Sequence, residues 1–405
     1  MYPRIDLDPK RLHNFTKHKH PWIFSGAIQK IDQPRGQVHG KIVSVYCDDH
    51  FIMIGYYNQF SQIAVRALSW QKDELIDHKF IVQKIRQAAE MRQQFVLNSK
   101  TTACRLIFAE SDFLPGFVVD KYNNSYIVQI HTLGAENLKQ IFVQALQEVA
   151  KKVFGKVPSM ILEKSDISSR QHEGMDSKNH QLLFGEKVEK EIILENGHQF
   201  EVNFDLSQKT GFFLDQRDNR ETLTKYSYGK KILNLFAYTG GFSIYAGAKN
   251  NAAGQIVSVD ISKEAVKQIA KNFSLNKITV QHHEIVADAF DFLTDMEAEK
   301  YDLIIIDPPA FVKSAKKLKE GIKGYITLNQ LALEKLPEDG ILVTSSCSAA
   351  LNDADFFRML NWAANAANCQ IQVIEKRCQP TDHPLTPYFP EGEYLKFYIV
   401  RKVKI

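Results

Sequence analysis

Cys347 is the residue of this sequence whose side chain could carry out covalent chemistry. It follows an apolar run over residues 340–345 and stands between two serines, Ser346 and Ser348. A thiolate that adds to C6 of a pyrimidine makes C5 enamine-like, so that C5 can attack a methylsulfonium group. This step requires a thiol with a lowered pKa or a nearby base. A lone buried cysteine is often inert packing, so Cys347 is interpreted either as a nucleophile or as a core residue.

Asp307 is the second residue with a predicted chemical role. It follows an apolar run and precedes Pro308 and Pro309. Each proline restricts its own φ and the conformation of the residue before it, which would hold the carboxylate on a rigid, extended turn. A rigid carboxylate at the mouth of a crevice suits the flat, amide-like edge of a base. The alternative is a strand end that is closed by a proline stop.

The stretch over residues 232–246 predicts a strand, a tight glycine turn and a helix. Gly240 and Gly241 lie in the turn, and a second strand ends at Asp260, where a carboxylate can accept hydrogen bonds from ribose hydroxyls. A third strand ends just before Asp288, which could bind an adenine edge. The G-x-G-x-x-G pattern of dinucleotide sites is absent, so S-adenosylmethionine, which lacks a pyrophosphate, fits this pattern better. The alternative is a plain tight turn.

Alternating apolar strands and amphipathic helices from about residue 190 predict an α/β fold with a parallel sheet, buried on both faces. The candidate residues then lie at strand carboxyl ends, where open α/β sheets bind ligands. Residues 370–376 and 396–402 are expected to close the sheet as a hairpin. Residues 1–73 are predicted to be β-rich and residues 74–190 to form an α+β unit, with residues 168–178 as an exposed loop.

The bulk composition predicts a protein of the reducing cytosol rather than a secreted or membrane protein. The 405 residues include 51 Lys and Arg against 47 Asp and Glu, and the five cysteines show no paired spacing. No apolar run approaches the roughly 20 residues that span a bilayer, and no C-x-x-C motif predicts a zinc site. The close histidine pairs, His18 with His20 and His282 with His283, are interpreted as surface residues.

Two basic segments are candidates for RNA contact. Basic residues lie among aromatic residues near Trp22 and Phe24, and a lysine-rich loop follows Asp307. Such residues can bind phosphates and stack on bases, although both segments could equally be solvated surface. The lysines predicted to contact RNA are Lys17, Lys19, Lys313, Lys316 and Lys317.

Several collinear motifs resemble those of one family. The motifs are HPWIFSGAI (20–28), ESDFLPGFVVDKY (110–122), KTGFFLDQRDNR (209–220), LNLFAYTGGFSIYA (233–246), VSVDIS (257–262), DPPAFVKS (307–314), SCS (346–348), DHP (382–384) and YFPEGEYLK (388–396). Together they strongly resemble the bacterial 23S ribosomal RNA 5-methylcytosine methyltransferases. The resemblance implies a PUA domain over residues 1–73, a central EEHEE domain over 74–190 and a class I, Rossmann-like methyltransferase domain over 191–405.

The resemblance also implies roles for individual residues. Asp307 would bind cytosine N3 and also border the cofactor, and Cys347 would attack C6. Ala310 follows the two prolines, so the second cysteine that other RNA cytosine methyltransferases carry there is absent from this chain. The group that removes the C5 proton is therefore left open. The residues implied to hold S-adenosylmethionine are Phe213, Gln216, Arg217, Ala237, Tyr238, Thr239, Gly240, Gly241, Asp260 and Asp288.

Two other functions compete with this interpretation. A ribosomal RNA guanine-N7 methyltransferase has a similar TGxFLDxR segment, and guanine N7 needs no thiolate. A non-catalytic RNA-binding or ribosome-assembly factor could retain the cofactor fold, although the glycine turn and the acidic strand ends argue against it. The predicted partner is 23S ribosomal RNA in the cytoplasm, without a membrane; the oligomeric state is left open, with a homodimer as one option.

Overall fold

The computed structural model of the protein describes residues 2–167, 169–205, 209–248, 252–312 and 317–403. The chain forms two compact units, each assembled from separate stretches of sequence. The first unit comprises Met1–Ile193, Val202–Leu214 and Thr381–Gly392. The second unit comprises Leu194–Glu201, Asp215–Pro380 and Glu393–Ile405.

The first unit begins with a mixed sheet, which has six strands within the described residues, in the order β2-β6-β5-β4-β1-β3. Its apolar residues alternate with polar ones and form a core of their own around Ile5, Ile23 and Val43. The turn between β4 and β5 uses Asp48 and Asp49 with positive φ, as tight hairpins require. The elements are β1 (Arg4–Leu7), α1 (Leu12–Lys17), β2 (Trp22–Phe24), β3 (Ile28–Ile31), α2 (Arg35–Val38), β4 (Ile42–Cys47), β5 (His50–Tyr57) and β6 (Ile63–Ser69).

A second sheet of the first unit packs against two long helices, in agreement with the predicted α+β pattern. Asp77 and Thr132 accept hydrogen bonds from backbone N–H groups at the helix starts, and Gly155 ends the second helix in the left-handed conformation. The described strands have the order β11-β10-β9-β8-β7. The elements are α3 (His78–Phe95), β7 (Ala103–Phe108), β8 (Phe117–Tyr122), β9 (Ser125–Ile130), α4 (Leu133–Phe154), β10 (Met160–Ser165), α5 (Ser169–His172) and β11 (Lys178–Gly185).

The prediction of an exposed loop over residues 168–178 is wrong for two of its charged residues. Arg170 is 1% exposed and donates to the carbonyl oxygen of Ile130 at 2.8 Å. Glu173 is 4% exposed and accepts a hydrogen bond from Asn58 Nδ2 at 2.8 Å. Ion pairs and hydrogen bonds with residues far away in sequence make this burial possible, and no local pattern reveals them.

Along a two-stranded hairpin the chain passes from the first unit into the second and back into the first. It consists of β12 (Lys190–Glu195) and β13 (His198–Asn203). Asn196 and Gly197 connect the strands with φ of 50° and 87°, the combination that two-residue hairpin turns favour.

The second unit is built on a sheet that has seven strands within its described part, in the order β16-β15-β14-β17-β18-β20-β19. β14 to β18 are parallel, and β20 runs antiparallel between β18 and β19. The elements are α6 (Arg217–Ser227), β14 (Lys231–Leu235), α7 (Gly241–Gly247), β15 (Gln255–Asp260), α8 (Lys263–Leu275), β16 (Gln281–Val286), α9 (Ala289–Asp295), β17 (Leu303–Ile306), α10 (Leu318–Lys335), β18 (Ile341–Ser346), α11 (Asp353–Ala366), β19 (Gln370–Arg377) and β20 (Lys396–Val403).

The strand order changes direction at β14. The chain continues from β14 to β15 and β16 on one side and returns to β17 and β18 on the other. Such a switch point leaves a crevice at the strand carboxyl ends, where ligands bind in open α/β sheets. The two last strands pair antiparallel as predicted, but residues 378–395 separate them, so they do not form a tight hairpin.

The interpretation of His282 as a surface residue is wrong. Its side chain is 6% exposed and stacks on Phe273 with 3.8 Å between the ring centroids. His282 Nε2 lies 3.0 Å from Ser258 Oγ, which lies 2.7 Å from Ser243 Oγ. This buried polar chain joins β16, β15 and α7, and it stabilises the sheet below the glycine turn.

No helix among the described residues combines the length and the apolar character needed to cross a membrane.

Candidate active site

The sheet of the second unit brings several predicted site residues to one edge. Leu235 pairs with both Val259 and Ile306, and Ile306 pairs with Thr344. The residues that follow these positions therefore leave the sheet at the same level. They include the glycine turn, Asp260, Asp307 and the turn that contains Cys347.

The turn after β14 is held by Asp260. Phe236, Tyr238 and Gly240 all have positive φ, of 56°, 48° and 84°. Asp260 Oδ2 accepts a hydrogen bond from the backbone nitrogen of Tyr238 at 2.8 Å, and Oδ1 accepts one from the backbone nitrogen of Ser262 at 2.8 Å. Two backbone bonds to one carboxylate offset the cost of the unusual turn conformation. Asp260 thus has a structural function that the sequence did not predict.

The glycine pair is required by contacts within the protein. A Cβ atom on Gly240 would lie 2.8 Å from Ile269 Cγ2, and one on Gly241 would lie 3.0 Å from Arg220 Cδ. Cβ atoms in proteins essentially never come within 2.8 Å of another side chain, so a side chain at Gly240 would displace Ile269 on α8. The glycines are therefore explained by packing, independently of any close approach to a ligand.

The buried polar atoms near this edge include two, on predicted cofactor segments, that have no hydrogen-bond partner among the described residues. They are Thr239 Oγ1, in the glycine turn, and Asn219 Oδ1, on α6. Buried polar atoms in proteins are nearly always hydrogen-bonded, so orphaned ones at the carboxyl edge of an α/β sheet suit a polar ligand. A ligand with hydroxyl, ammonium and adenine groups, such as S-adenosylmethionine, fits this requirement.

Asp288 stands at the start of α9. Its Oδ1 accepts hydrogen bonds from the backbone nitrogens of Phe290 at 2.8 Å and Asp291 at 3.2 Å. It is therefore the N-cap of this helix, a role that a short acidic side chain commonly has. Its predicted contact with adenine stays a prediction.

Asp307 is bonded from two directions. Its Oδ1 accepts hydrogen bonds from Gln216 Nε2 at 2.9 Å and from the Ser345 hydroxyl. Burial raises the pKa of Asp307 to about 6, because the desolvated carboxylate loses the stabilisation that water gives to its charge, while the bonds from Ser345 and Gln216 act in the opposite direction. Asp307 as a whole is half-buried, whereas its carboxyl group is largely surrounded by protein. Asp307 can therefore exchange a proton near neutral pH.

The two serines beside Cys347 anchor its turn. Ser346 Oγ donates to the hydroxyl of Tyr325 at 2.9 Å, and Ser348 Oγ lies 3.0 Å from the same hydroxyl. Ser348 Oγ also accepts a hydrogen bond from the backbone nitrogen of Val312 at 3.2 Å. The turn of the half-buried Cys347 is thus connected to the loop that follows Asp307.

Most of the charge in residues 209–220 is paired. Arg220 donates two hydrogen bonds of 2.8 Å to Glu195, and Tyr394 donates to Asp215 at 2.7 Å. Arg217 is 4% exposed, and its Nε lies 3.3 Å from Asp218 Oδ1. The sequence associated this segment with the cofactor and did not predict the contacts of Arg220 and Asp215, because Glu195 and Tyr394 lie outside the segment.

The remaining predicted site residues are distributed between the two units. Phe213 belongs to the first unit, where the Lys209 ammonium lies 5.2 Å from its ring centroid, and Ala237 is buried beside the glycine turn in the second unit. Lys17 and Lys19 are exposed in the first unit, and Lys317 is exposed immediately before α10 of the second unit. The predicted RNA contacts Lys313 and Lys316 lie outside the described residues.

Known proteins share both the sequence and the fold. The sequence profile of the S-adenosylmethionine-dependent methyltransferase family matches residues 129–387, and that of a PUA-like domain matches residues 5–70. The ribosomal RNA large subunit methyltransferase I of Aliivibrio fischeri is 36% identical over 392 residues, which cover 96% of each chain. Its counterpart in Aeromonas salmonicida is 35% identical over 387 residues, which cover 95% of each chain.

A solved structure confirms the predicted fold class. A Streptococcus mutans protein described as a SAM-dependent methyltransferase superimposes with a TM-score of 0.80 at 23% identity, over 98% of this chain and 99% of its own. The α/β fold with a Rossmann-like sheet and a PUA-like N-terminal domain agrees with the sequence prediction, and S-adenosylmethionine is confirmed as the cofactor. The chain belongs to the S-adenosylmethionine-dependent methyltransferase family, within the group whose curated relatives are named ribosomal RNA large subunit methyltransferase I.

Proposed function

We propose that this protein transfers a methyl group from S-adenosylmethionine to C5 of a cytosine in 23S ribosomal RNA. The observation that carries the proposal is the pairing of β17 with β18, which aligns Asp307 with Ser345, two residues before Cys347. A thiol and a carboxyl group with a pKa near 6 at one sheet edge are the two groups that pyrimidine C5 chemistry requires.

The roles of the two residues follow from the electronic structure of cytosine. The Cys347 thiolate forms a bond to C6, and the electron pair of the C5–C6 double bond moves toward the ring nitrogen N3. Asp307 in its protonated form donates a proton at N3, which removes the negative charge that would otherwise build up on the ring. C5 then has enamine character, and S-adenosylmethionine supplies the methyl group that C5 takes. Loss of the C5 proton to a base restores the C5–C6 double bond and expels the Cys347 thiolate. N3 returns its proton to the Asp307 carboxylate, so that the product is neutral 5-methylcytosine and both side chains regain their starting states.

The raised pKa of Asp307 supports this role. A carboxyl group of ordinary pKa, near 4, would be almost fully ionised at neutral pH and could only accept hydrogen bonds. A pKa of about 6 maintains a protonated fraction near neutral pH and leaves the proton easy to transfer. Gln216 and Ser345 orient the group by their bonds to one of its oxygens.

The cofactor residues are proposed from the resemblance together with their positions. Gln216, Arg217 and Phe213 would enclose S-adenosylmethionine, residues 237–241 would contact its methionine part, and Asp260 would contact its ribose. Asp288 would contact the adenine. Each carboxylate oxygen of Asp260 accepts one backbone hydrogen bond and has a further lone pair, which could accept a hydrogen bond from a ribose hydroxyl.

The substrate is inferred from the relatives, whose name refers to the large-subunit ribosomal RNA. The PUA-like domain and the exposed Lys17, Lys19 and Lys317 would supply contacts to RNA phosphates, and work on ribosomal RNA implies a cytoplasmic location. Lys313 and Lys316 are proposed as further contacts on sequence alone. A homodimer remains a prediction without support from the described residues.

The test is nucleoside mass spectrometry of 23S ribosomal RNA from cells that lack the protein, after incubation with purified protein and labelled S-adenosylmethionine. Label in 5-methylcytidine is expected, and the Cys347→Ala variant should give none. Label in 7-methylguanosine would instead identify a guanine-N7 methyltransferase, for which Cys347→Ala should retain its activity. Absence of label from every nucleoside, with S-adenosylmethionine still bound in calorimetry, would support a binding protein that does not methylate this RNA.

A further inference from the structure

Lys396 lies directly below the turn that carries Cys347. β18 and β20 pair antiparallel with Ser346 opposite Lys396. The Lys396 side chain is almost completely buried, and its Nζ donates to the carbonyl oxygen of Ser348 at 2.7 Å and to that of Tyr394 at 2.6 Å. An ammonium group has three donors, and two of them are used here to bind the carbonyl of Ser348, in the turn, and that of Tyr394, just before β20.

The ammonium of Lys396 is electrostatically coupled to the thiol. Burial lowers the pKa of Lys396 to about 8, and Cys347, Asp353 and Glu393 act in the opposite direction, in that order. This interaction is mutual. A Cys347 thiolate stabilises the Lys396 ammonium, so the ammonium stabilises the thiolate as well. At neutral pH a lysine with a pKa near 8 is still mostly protonated.

The other carboxylates near Lys396 are less available to it. Asp353 accepts hydrogen bonds from Lys376 Nζ at 2.5 Å and from the Tyr398 hydroxyl at 2.7 Å. Glu393 is exposed, where water screens its charge. A thiolate at Cys347 is therefore the anion that suits the buried ammonium best.

We infer that Lys396 is a positioning residue that keeps the Cys347 thiol ionised by holding the 346–348 turn over its ammonium group. The inference rests on the proposed function, since only a nucleophilic Cys347 needs ionisation. The proposed mechanism requires an ionised thiol, which a positive charge nearby stabilises. Ser346 and Ser348, beside Cys347, are neutral, so Lys396 supplies this charge. A lysine 49 positions away in the chain fulfils this need through strand pairing.

The test measures the ionisation of the thiol without any methyl transfer. Full-length protein is alkylated with iodoacetamide over a range of pH, without S-adenosylmethionine or RNA, and the modified Cys347 peptide is quantified by mass spectrometry. In the unmodified protein, the reactivity of Cys347 should reach half its maximum at least about one pH unit below the ordinary thiol value of about 8.5. Lys396→Met should shift that midpoint upward by about one unit, which lowers alkylation at pH 7 about tenfold.

Two controls separate this role from a purely structural one. Lys396→Arg retains the charge and should retain the low midpoint, and Cys378 in the same molecule should show one unchanged profile in every variant. A Lys396→Met protein with a lower melting temperature but an unchanged Cys347 midpoint would refute the inference, as would a midpoint of 8.5 or higher in the unmodified protein. The latter measurement can refute the inference even if the variants fail to fold. The failure of the proposed function would be seen in a different experiment. Methylation of the RNA by Cys347→Ala would refute that function, whereas the alkylation profile, which needs no RNA, tests the role of Lys396.

Discussion

The side-chain nitrogen of Gln216 lies 2.9 Å from a carboxylate oxygen of Asp307 and donates a hydrogen bond to it. Gln216 in turn accepts a hydrogen bond from Asn219 at 2.7 Å, which fixes which end of its amide faces the carboxylate. The start of α6 is thereby connected to the loop after β17, although the two residues are 91 positions apart. One cofactor candidate thus orients the residue proposed to bind the base.

Replacing Asp307 by Asn should separate substrate binding from proton transfer. An amide can donate a hydrogen bond to cytosine N3 but cannot transfer a proton, so we expect kcat to fall at least about 100-fold while the KM for RNA changes only a few-fold. Steady-state methylation assays over a range of RNA concentrations measure both. Asp339→Asn, an exposed carboxylate paired with Arg401, is the matched control and should leave the rate unchanged. Full activity of Asp307→Asn would contradict the proposed role.

Gly240→Ala should weaken both the fold and the cofactor site. Gly240 has a φ of 84°, and an added Cβ would meet Ile269 at 2.8 Å, so the free energy of unfolding should fall by about 2 kcal/mol. Because the turn moves, the Kd for S-adenosylmethionine measured by calorimetry should rise about tenfold or more. Gly36→Ala is the control, since nothing lies within 4 Å of its added Cβ. Equal cofactor affinity in both variants would argue against a role of this turn in binding.

The buried ion pair of Arg220 and Glu195 should be essential for the stability of the second unit. Both side chains are almost inaccessible, at 3% and 1%, and Tyr245 also donates to Glu195 Oε1. Glu195→Gln leaves the guanidinium without a counter-charge, so we expect a loss of about 3 to 5 kcal/mol in the free energy of unfolding, measured by urea titration with circular dichroism. Asp339→Asn, which removes an exposed ion pair, should cost less than about 1 kcal/mol. Similar losses in the two variants would show that burial of the pair is unimportant.

His131 should make the first unit sensitive to mild acid. Burial lowers its pKa to about 4; Glu110 opposes this, whereas the positive charges of Arg105, Arg66 and Arg170 contribute to it. Because the folded pKa lies below the unfolded value of about 6.5, the unfolded chain binds the proton first as the pH falls. The His131 contribution to stability is therefore complete above pH 6.5 and is lost between about 6.5 and 4, at about 1.4 kcal/mol per pH unit.

Urea midpoints of the unmodified protein and of His131→Gln, followed by tryptophan fluorescence over this pH range, measure that loss. Two of the three tryptophans, Trp22 and Trp70, belong to the first unit and report on it, whereas Trp362 belongs to the second. The difference between the two proteins isolates His131 from the carboxylates that also titrate. Parallel pH curves for the two proteins would exclude the effect.

Lys17 and Lys19 should contribute to RNA affinity through phosphate contacts. Both are exposed, and replacing each by Ala should reduce the magnitude of the slope of log K against log salt by about one. Filter binding with a 23S ribosomal RNA transcript at several salt concentrations provides the slope. Lys152→Ala is the matched control, because this exposed lysine is paired with Glu148. If all three variants gave the slope of the unmodified protein, these lysines would be ordinary solvated surface.

The sequence predicted the sheet of the second unit well, because its strands are short apolar runs separated by helices. Asp260, at the end of β15, and Asp307, after β17, were placed at one edge for the same reason, since parallel strands end together. Which of the polar and charged side chains are buried could not be predicted. Arg170 and His282 look like surface residues in the sequence, but ion pairs and ring stacking with distant partners bury them.

In the candidate site, too, the sequence identified some of the residues but not the contacts that hold them. Residue type and position after an apolar strand singled out Cys347 and Asp307, and the resemblance added their roles. The hydrogen bonds from Gln216 and Ser345 to Asp307, and those between Tyr325 and the serines beside Cys347, depend on tertiary contacts that the sequence does not show. Asp260 and Asp288 were associated with the cofactor alone, and their bonds to backbone nitrogens were missed. Lys396 lay within a motif without an assigned role, because strand pairing alone brings it below the turn.

The chain enters and leaves the first unit more than once, which makes the methyltransferase part difficult to transplant. A fragment cut near residue 190 would still carry residues 202–214 and 381–392, which belong to the first unit. In such a fragment Thr210 would lose its bond to Asp120, and Asp382 would lose its bond to the backbone nitrogen of Arg105. The two units therefore cannot be exchanged between proteins as independent cassettes, and recombination within this family should preserve all of these stretches together.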